Sequence, residues 1–503
     1  MKLRHIVGGA IAITAAISVL GAALGPSWRP RELVSDIEPA TPDTRIDSKK
    51  SVPLGTYDFT TELHHVDLGD ATVTALVRTP VGVDGDQRAV VFMHGAGTKD
   101  REGFVEQAEA LASAGVVTVV PDKRMDTYTT AHRDYHQMGV DYGRSVTLAA
   151  GLPGVTSVGI YAESEGAYSA PSLANEHADV DFVILVSPPV VPARQQATFA
   201  TDSYLRNVGV PNALFRTIPR ALGAEIPFGW MRYADFDPQP DQRQMTQPTL
   251  LAFGTGDESM PLVQGTQQIR DDLAAAGNHA LTVRFYADAN HGIKLGPRDD
   301  LVLADDFAQG LADWIHGLDE SAMTEPHIAG ANPHQTYVAD PLPQTRWFLS
   351  GNAMLWTHGA AIALLAGGGT AAGVQWIVRK NRRRAGDIST MPRDVALLLG
   401  GTAVATVAAW GIFGVYLQRV ADLAFNYGTD PAWTYGVYAG QQTVAVGAAG
   451  LLAAALSVGH VKRSEITGSN RLVFVTTAGG AFALLVLAAY WGGFPDITGG
   501  RGL

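Results

Sequence analysis

The chain contains no cysteine among its 503 residues. This absence excludes disulfide bonds, thiolate nucleophiles, cysteine-based zinc sites and iron–sulfur clusters. Charged side chains are also scarce, at 17% of the residues, compared with roughly 25% in an average soluble domain. Long uncharged stretches must therefore exist. A net charge of −12 without a basic low-complexity tract argues against nucleic acid as a partner.

The charges are unevenly divided along the chain. From Trp347 to Leu503 there are 11 Lys+Arg and 6 Asp+Glu, whereas the preceding residues carry 26 and 43. We predict that two physically different halves are joined near residue 346.

Five uncharged runs are long enough to cross a membrane, because about 20 helical residues span the ~30 Å hydrocarbon core. The runs are Ile6–Gly25, Trp347–Val378, Val395–Gln418, Pro431–Val461 and Leu472–Pro495. The first is either a retained anchor or a cleaved signal peptide, and the lack of a clean A-x-A cleavage site favours the anchor. None of the last four contains Asp, Glu, Lys or Arg, which weakens an ion-coupled transport function.

The loops between the runs differ in charge. Basic residues cluster at Arg379–Arg393 and Lys462–Arg471, whereas Arg419–Trp433 holds one Arg and two Asp. Because cytoplasmic loops are enriched in Lys and Arg, this pattern predicts a plasma-membrane protein with a cytoplasmic N-terminus. Residues 26–346 are then extracytoplasmic.

Strand and helix patterns alternate through this extracytoplasmic segment. Predicted strands include 71–78, 89–93, 116–120, 157–161, 182–186, 249–253 and 281–286, and most are separated by helical patterns. Such alternation indicates an α/β fold with a mostly parallel sheet. We predict an anchor or signal segment over 1–25, a linker over 26–52, an α/β domain over 53–320 with a cap at 188–247, a second linker over 321–346, and a four-span domain over 347–503.

A nucleophile is predicted where one of these strands ends. Tyr161-Ala162-Glu163-Ser164-Glu165-Gly166 follows a strand and opens a helix. A strained nucleophile turn needs small residues two positions before and after the serine, and Ala162 and Gly166 meet that need. We predict Ser164 as the nucleophile; the alternative is that its hydroxyl caps the following helix.

The loop His94-Gly95-Ala96-Gly97 ends an earlier apolar strand. A tetrahedral intermediate requires preorganised N–H donors, one from such a loop and one from the residue after the nucleophile. The predicted oxyanion hole is therefore formed by the N–H groups of Ala96 and Glu165. His94 itself is interpreted as a structural histidine.

The base and the orienting acid are expected on loops after later strands. His291 follows the strand 281–286, and Asp257 follows the strand 249–253. The order Ser164, Asp257, His291 is the nucleophile–acid–base order of the α/β-hydrolase fold. The alternatives to these two residues are Glu258 and Asp288 for the acid, and His279 and His316 for the base.

These motifs resemble those of the α/β-hydrolase superfamily, and within it the dienelactone-hydrolase and prolyl-oligopeptidase-like esterases. The matching residues are His94-Gly95-Ala96-Gly97 with Asp100-Arg101, then Asp122-Lys123-Arg124, then Glu163-Ser164-Glu165-Gly166. The resemblance covers residues 55–318. Met125 and Ala167 stand where the family has Gly. These departures affect the expected shape of the pocket, and they do not affect the expected triad. The membrane-spanning runs lie outside the family pattern.

The sequence therefore predicts a membrane-anchored serine hydrolase that cleaves esters or thioesters of small or lipid-like acyl groups. We expect no metal and no cofactor, since no ligand cluster or phosphate-binding loop is present. An acyltransferase or peptidase of the same fold is the nearest alternative. A different alternative is a non-catalytic hydrolase-like domain that serves a lipid transport or assembly module.

Overall fold

A computed structural model of the chain describes residues 3–225, 227–229, 231–319, 325–382 and 391–496. These residues form two compact units. The sheet unit comprises Pro30–Ala200 and Trp230–Pro341, and the helical unit comprises Met1–Arg29, Thr201–Gly229 and Leu342–Leu503. The predicted cap is therefore divided between the two units. Residues 320–324 of the second predicted linker and 383–390 of the first basic loop lie outside the described residues.

The sheet unit is built around nine strands. They are β1 (Phe59–Asp67), β2 (Thr72–Pro80), β3 (Gln87–Met93), β4 (Val117–Pro121), β5 (Val155–Glu163), β6 (Val180–Val186), β7 (Thr249–Gly254), β8 (Leu281–Tyr286) and, after the two-stranded ribbon β9 (Lys294–Leu295) and β10 (Val302–Leu303), β11 (His327–Gly330). The order across the sheet is β1-β2-β4-β3-β5-β6-β7-β8-β11. Among the described residues of this nine-stranded sheet, β1 with β2 and β2 with β4 pair antiparallel and the other neighbours pair parallel. This mostly parallel sheet confirms the predicted α/β-hydrolase fold class.

The central strands are continuous apolar runs, as parallel strands covered on both faces require. In β3 the five residues Ala89–Met93 are fully buried, and every residue of β7 and β8 is buried. Aromatic side chains fill the adjoining core, where Phe92 packs on Phe104 and Tyr161. This rigid sheet fixes the loops that follow its strands.

Thirteen α-helices occur in the described residues. They are α1 (Leu3–Ala23), α2 (Val105–Ser113), α3 (Tyr135–Ala150), α4 (Ala170–Glu176), α5 (Ala193–Val208), α6 (Thr217–Leu222), α7 (Gln239–Gln242), α8 (Leu262–Ala275), α9 (Phe307–His316), α10 (Gly351–Arg382), α11 (Arg393–Phe425), α12 (Pro431–Val461) and α13 (Gly468–Tyr490). By length and composition, α1 and α10–α13 could each cross a membrane. The five predicted spans are thus all helical.

Small residues bring the helices of the helical unit close together. A Cβ atom on Gly21 of α1 would lie 2.3 Å from the Cβ of Ala489 in α13, and one on Gly480 would lie 2.5 Å from the backbone nitrogen of Leu365. Helix pairs in membranes often use such positions, because a missing side chain lets two backbones approach. The first helix therefore packs as a member of the bundle.

The segment Thr201–Gly229 joins this bundle through two arginines. Arg220 is 2% exposed and donates hydrogen bonds to the carbonyl oxygens of Gly21, Ala22 and Tyr490. These carbonyls lie at the C-terminal ends of α1 and α13, where helices leave acceptors without intrahelical partners. Arg216 forms an ion pair with Asp496. The guanidinium of Arg220 thus caps two helix ends at once.

Candidate active site

Four parallel strands deliver the predicted site residues to one edge of the sheet. Strands β3, β5, β7 and β8 run in the same direction, so their carboxyl ends meet there. The loop after β3 carries Ala96, the turn after β5 carries Ser164 and Glu165, and the loops after β7 and β8 carry Asp257 and His291. Ligand sites of open α/β sheets form at this edge.

Ser164 occupies a strained turn. It follows β5 directly and opens a short 3₁₀ helix, Ser164–Tyr168. Its φ angle is 53°, a left-handed conformation that L-residues other than Gly adopt at an energetic cost. A Cβ atom on Gly166 would lie 2.7 Å from the carbonyl oxygen of Met93. Only glycine fits there, which explains the small residue that the motif requires.

Asp257 and His291 form a hydrogen-bonded pair. The distance from His291 Nδ1 to Asp257 Oδ2 is 2.7 Å. The aspartate side chain is fully buried, and the histidine side chain is 29% exposed. Burial alone would raise the pKa of Asp257, but the charge and hydrogen bond of His291 outweigh it and lower that pKa. Burial alone would lower the pKa of His291, but the charge and hydrogen bond of Asp257 outweigh it and raise that pKa.

Two glycines allow the acid and base loops to approach each other. A Cβ atom on Gly254 would lie 2.1 Å from the carbonyl oxygen of Ala289, and one on Gly256 would lie 2.8 Å from that of Asp288. Each contact is too short for a side chain. The absence of side chains at Gly254 and Gly256 therefore allows the loop that carries Asp257 to pack against the loop that carries His291.

Ser259 holds the other oxygen of the acid and was not predicted from the sequence. Its backbone N–H and its hydroxyl lie 2.9 and 2.6 Å from Asp257 Oδ1. The same hydroxyl oxygen is 3.2 Å from His291 Nδ1. With these donors and the imidazole, both oxygens of the buried carboxylate are satisfied. A hydroxyl two residues after the acid is the only local signal that could have identified it.

The alternative acids are placed differently. Glu258 is half-buried, and burial raises its pKa. The backbone N–H of the exposed Asp288 donates to the Thr255 hydroxyl. In the described part of the chain, neither carboxylate hydrogen-bonds to His291. A further carboxylate, Glu163, interacts electrostatically with the imidazole.

Ser164 and His291 occupy the same sheet edge without a hydrogen bond between them among the described residues. Catalytic hydrogen bonds of unliganded enzymes are often long and tighten only when substrate binds. The structure thus brings the predicted acid and base into contact and places the predicted nucleophile in its turn.

The loop after β3 packs tightly against the serine turn. A Cβ atom on Gly95 would lie 3.1 Å from both the carbonyl oxygen of Glu163 and the Cβ of Ser164. The fully buried His94 anchors the loop through its Nε2, which is 2.8 Å from the carbonyl oxygen of Pro121. Burial lowers the pKa of His94 to about 4. A neutral, buried ring that bonds to a backbone carbonyl agrees with the structural role predicted for it.

Glu165 carries an unexpected network on its side chain. Its carboxylate is 5% exposed and accepts hydrogen bonds from Lys123, Arg133, Tyr128 and Tyr135. Burial would raise the pKa of Glu165, but the charges of Lys123 and Arg133 outweigh it and lower that pKa. No local sequence pattern predicts these four partners of Glu165, which lie 30 to 42 residues away along the chain. The residue after the nucleophile is therefore held by an ionic cluster.

The roles of Ala96 and Glu165 as oxyanion donors stay a prediction. In the described part of the chain, the backbone N–H groups of Ala96 and Glu165 have no hydrogen-bond partner. Free N–H groups at the start of a helix or in a tight loop can receive a developing negative charge. Among the described residues, no group of three or more His, Asp or Glu side chains is placed to hold a metal ion.

Neither a protein-family model nor a curated relative matches the chain. Solved structures do match it. Porphyromonas gingivalis dipeptidyl peptidase 4 is 18% identical with a TM-score of 0.33, over 48% of this chain and 33% of that protein. Pyrococcus horikoshii acylaminoacyl peptidase is 16% identical with a TM-score of 0.35, over 47% and 38%. An esterase from Rhizomucor miehei is 16% identical with a TM-score of 0.34, over 48% and 78%. The match thus spans 33% and 38% of the two peptidases, and the fold assignment rests on the strand order given above.

Proposed function

We propose that this chain is a membrane-anchored serine hydrolase that cleaves acyl groups from ester or thioester linkages. The observation that carries the proposal is the 2.7 Å contact between Asp257 and His291, at the sheet edge where Ser164 occupies a left-handed turn. A buried carboxylate that fixes the tautomer of an imidazole is the arrangement that activates a serine.

In the proposed reaction, the Ser164 oxygen attacks the acyl carbon and its proton passes to His291 Nε2. Asp257 accepts the hydrogen bond from Nδ1 and stabilises the imidazolium that forms. The N–H groups of Ala96 and Glu165 bind the oxyanion of the tetrahedral intermediate. The imidazolium then protonates the leaving alcohol or thiol, which departs and leaves an acyl group on Ser164. A water molecule, deprotonated by His291, attacks this acyl-enzyme in the same way and releases the carboxylic acid.

We further propose that the hydrolase domain lies on the extracytoplasmic side of the plasma membrane. Five helices of suitable length and the basic residues at Lys462–Arg471 support this orientation under the positive-inside rule. An enzyme anchored at a lipid surface meets lipid-like esters at high local concentration. Membrane-resident acyl esters are therefore the favoured substrates.

Labelling with a fluorophosphonate probe tests the proposal, because only an activated serine reacts. The full-length protein should be labelled, and Ser164→Ala should lose both labelling and at least ~10³-fold in ester turnover. The matched control is Ser169→Ala, which removes a fully buried hydroxyl five residues away and should retain labelling. Labelling of Ser164→Ala would contradict the nucleophile. An inert full-length protein would instead favour a non-catalytic domain.

A further inference from the structure

The buried Lys123 contacts both parts of the proposed oxyanion hole. Its Nζ is 3.0 Å from the carbonyl oxygen of Gly95 and 3.0 Å from Glu165 Oε2. The ammonium also lies 3.8 Å from the centre of the Tyr128 ring. Its side chain is 2% exposed. Three donors thus meet a carbonyl, a carboxylate and an aromatic face, which offset part of the cost of burying the charge. Burial still lowers the pKa of Lys123, against the opposing charge and hydrogen bond of Glu165.

The contact with Gly95 bears directly on the first donor. The Gly95 carbonyl and the Ala96 N–H belong to the same peptide group, which is planar, so the two point in opposite directions. An ammonium that holds the carbonyl therefore also fixes the direction of the N–H. It polarises the group as well, because a hydrogen bond accepted by a carbonyl strengthens the one donated by its N–H.

The contact with Glu165 bears on the second donor. The carboxylate belongs to the residue whose own N–H is the other proposed donor. Lys123 therefore joins two loops that lie 28 and 42 residues from it in the chain. Its backbone is tied to the first of these loops as well, since its N–H donates to the carbonyl oxygen of Lys99 at 2.8 Å.

We propose that Lys123 is a positioning residue that orients and polarises the Gly95–Ala96 peptide and fixes its distance from Glu165. This inference rests on the proposed serine mechanism. It assigns the lysine to stabilisation of the transition state, so its loss should lower kcat and leave substrate binding largely intact.

Arg133 provides a matched control. It donates to the same carboxylate of Glu165, but among the described residues it makes no contact with Gly95. Lys123→Met and Arg133→Met each remove one positive charge from that carboxylate. Only the lysine variant also frees the Gly95 carbonyl.

The experiment uses the full-length protein in detergent micelles. For each variant, kcat and KM are measured on a short p-nitrophenyl ester. Inhibition is measured with a trifluoromethyl ketone, to which the serine oxygen adds while its proton moves to His291 and the carbonyl oxygen becomes an anion. That anion needs the same donors as the transition state. Thermal unfolding is followed in parallel.

Loss of one oxyanion donor costs ~10² to 10³ in kcat. For a donor that is misaligned rather than removed, we expect Lys123→Met to lose about 30- to 100-fold in kcat, with KM within about threefold of wild type. The inhibition constant of the ketone should rise by the same factor as kcat falls. Because Arg133 also holds the Glu165 carboxylate, Arg133→Met should lower kcat as well, but by less than about tenfold, since it leaves the Gly95 carbonyl bound.

Equal losses in the two variants, or a loss confined to KM, would overturn the positioning role. If Lys123→Met does not fold, the double variant Lys123→Met with Glu165→Gln removes both buried charges. It still frees the Gly95 carbonyl, so it tests the orientation of the same Gly95–Ala96 peptide group. Its kcat should then fall at least as far, and a wild-type kcat would refute the inference. Failure of wild type itself to react with the ester and a fluorophosphonate would refute the proposed function instead.

Discussion

Replacing Asp257 by Asn changes one oxygen for an amino group at constant shape, and the surroundings decide which way the amide faces. Ser259 directs two donors at Oδ1, its N–H at 2.9 Å and its hydroxyl at 2.6 Å. The amide oxygen must remain on that side, because an NH₂ group would meet the backbone N–H. The NH₂ group therefore faces His291 Nδ1. That nitrogen becomes an acceptor, and the ring proton moves to Nε2, where the serine proton should be received.

The magnitude follows from this change of tautomer. The imidazole can neither accept the serine proton nor be stabilised as an imidazolium. We expect Asp257→Asn to lose about 10⁴-fold in kcat, which corresponds to about 5.4 kcal/mol of transition-state stabilisation at 1.36 kcal/mol per decade. The fold should persist, because the side-chain volume is unchanged and Ser259 keeps its acceptor.

The assay is turnover of a short p-nitrophenyl ester by the full-length protein, together with the rate of fluorophosphonate labelling. Glu258→Gln is the matched control, since it neutralises the adjacent carboxylate, which does not hydrogen-bond to His291, and it should stay within about threefold of wild type. An Asp257→Asn variant within about tenfold of wild type, or an equal loss in Glu258→Gln, would refute the reasoning.

Two further predictions concern pH and orientation. Because Asp257 raises the pKa of His291 and the neutral imidazole is the active form, kcat/KM should rise with pH through a midpoint above the ordinary histidine value of about 6.5; a midpoint below that value would contradict the pairing. Protease added to intact spheroplasts should digest Pro30–Ala200 and spare the basic loop at Lys462–Arg471, as mass spectrometry of the peptides would report, whereas protection of Pro30–Ala200 would refute the extracytoplasmic orientation.

The sequence predicted those features whose signal is local. Runs of apolar residues predict β3 and β7, and uncharged runs predict the five long helices. The position of Ser164, Asp257 and His291 at one sheet edge follows from the sequence, because each directly follows a strand or lies within a few residues of its end. Their catalytic roles stay a prediction. Two strands, β1 and β11, have no such signal. Most of β1 is exposed or only partly buried and lacks an apolar face. The four residues of β11 fall in the segment 321–346, which the sequence predicts as a linker.

The contacts that support the site could not be predicted, because they depend on tertiary proximity. Lys123 belongs to the motif Asp122-Lys123-Arg124, but its bonds to Gly95 and Glu165 cross between separate loops. Arg133 and the tyrosines around Glu165 belong to no recognisable pattern. The sequence also treated residues 188–247 as one cap, whereas Thr201–Gly229 groups with the helical unit. That division depends on the tertiary contacts of Thr201–Gly229, which no local sequence pattern specifies.

The position of Arg220 has a consequence for the order in which the helical unit is completed during synthesis. Its acceptor on Gly21 precedes it by 199 residues, and its acceptor on Tyr490 follows it by 270. At a synthesis rate of ~5 to 20 residues per second, the second acceptor emerges roughly 15 to 55 s after the arginine. Until α13 has been synthesised, the guanidinium lacks one of its buried acceptors, and removal of α1 by a signal peptidase would take away the other two. Helix α13 therefore closes a hydrogen-bond network that begins in α1.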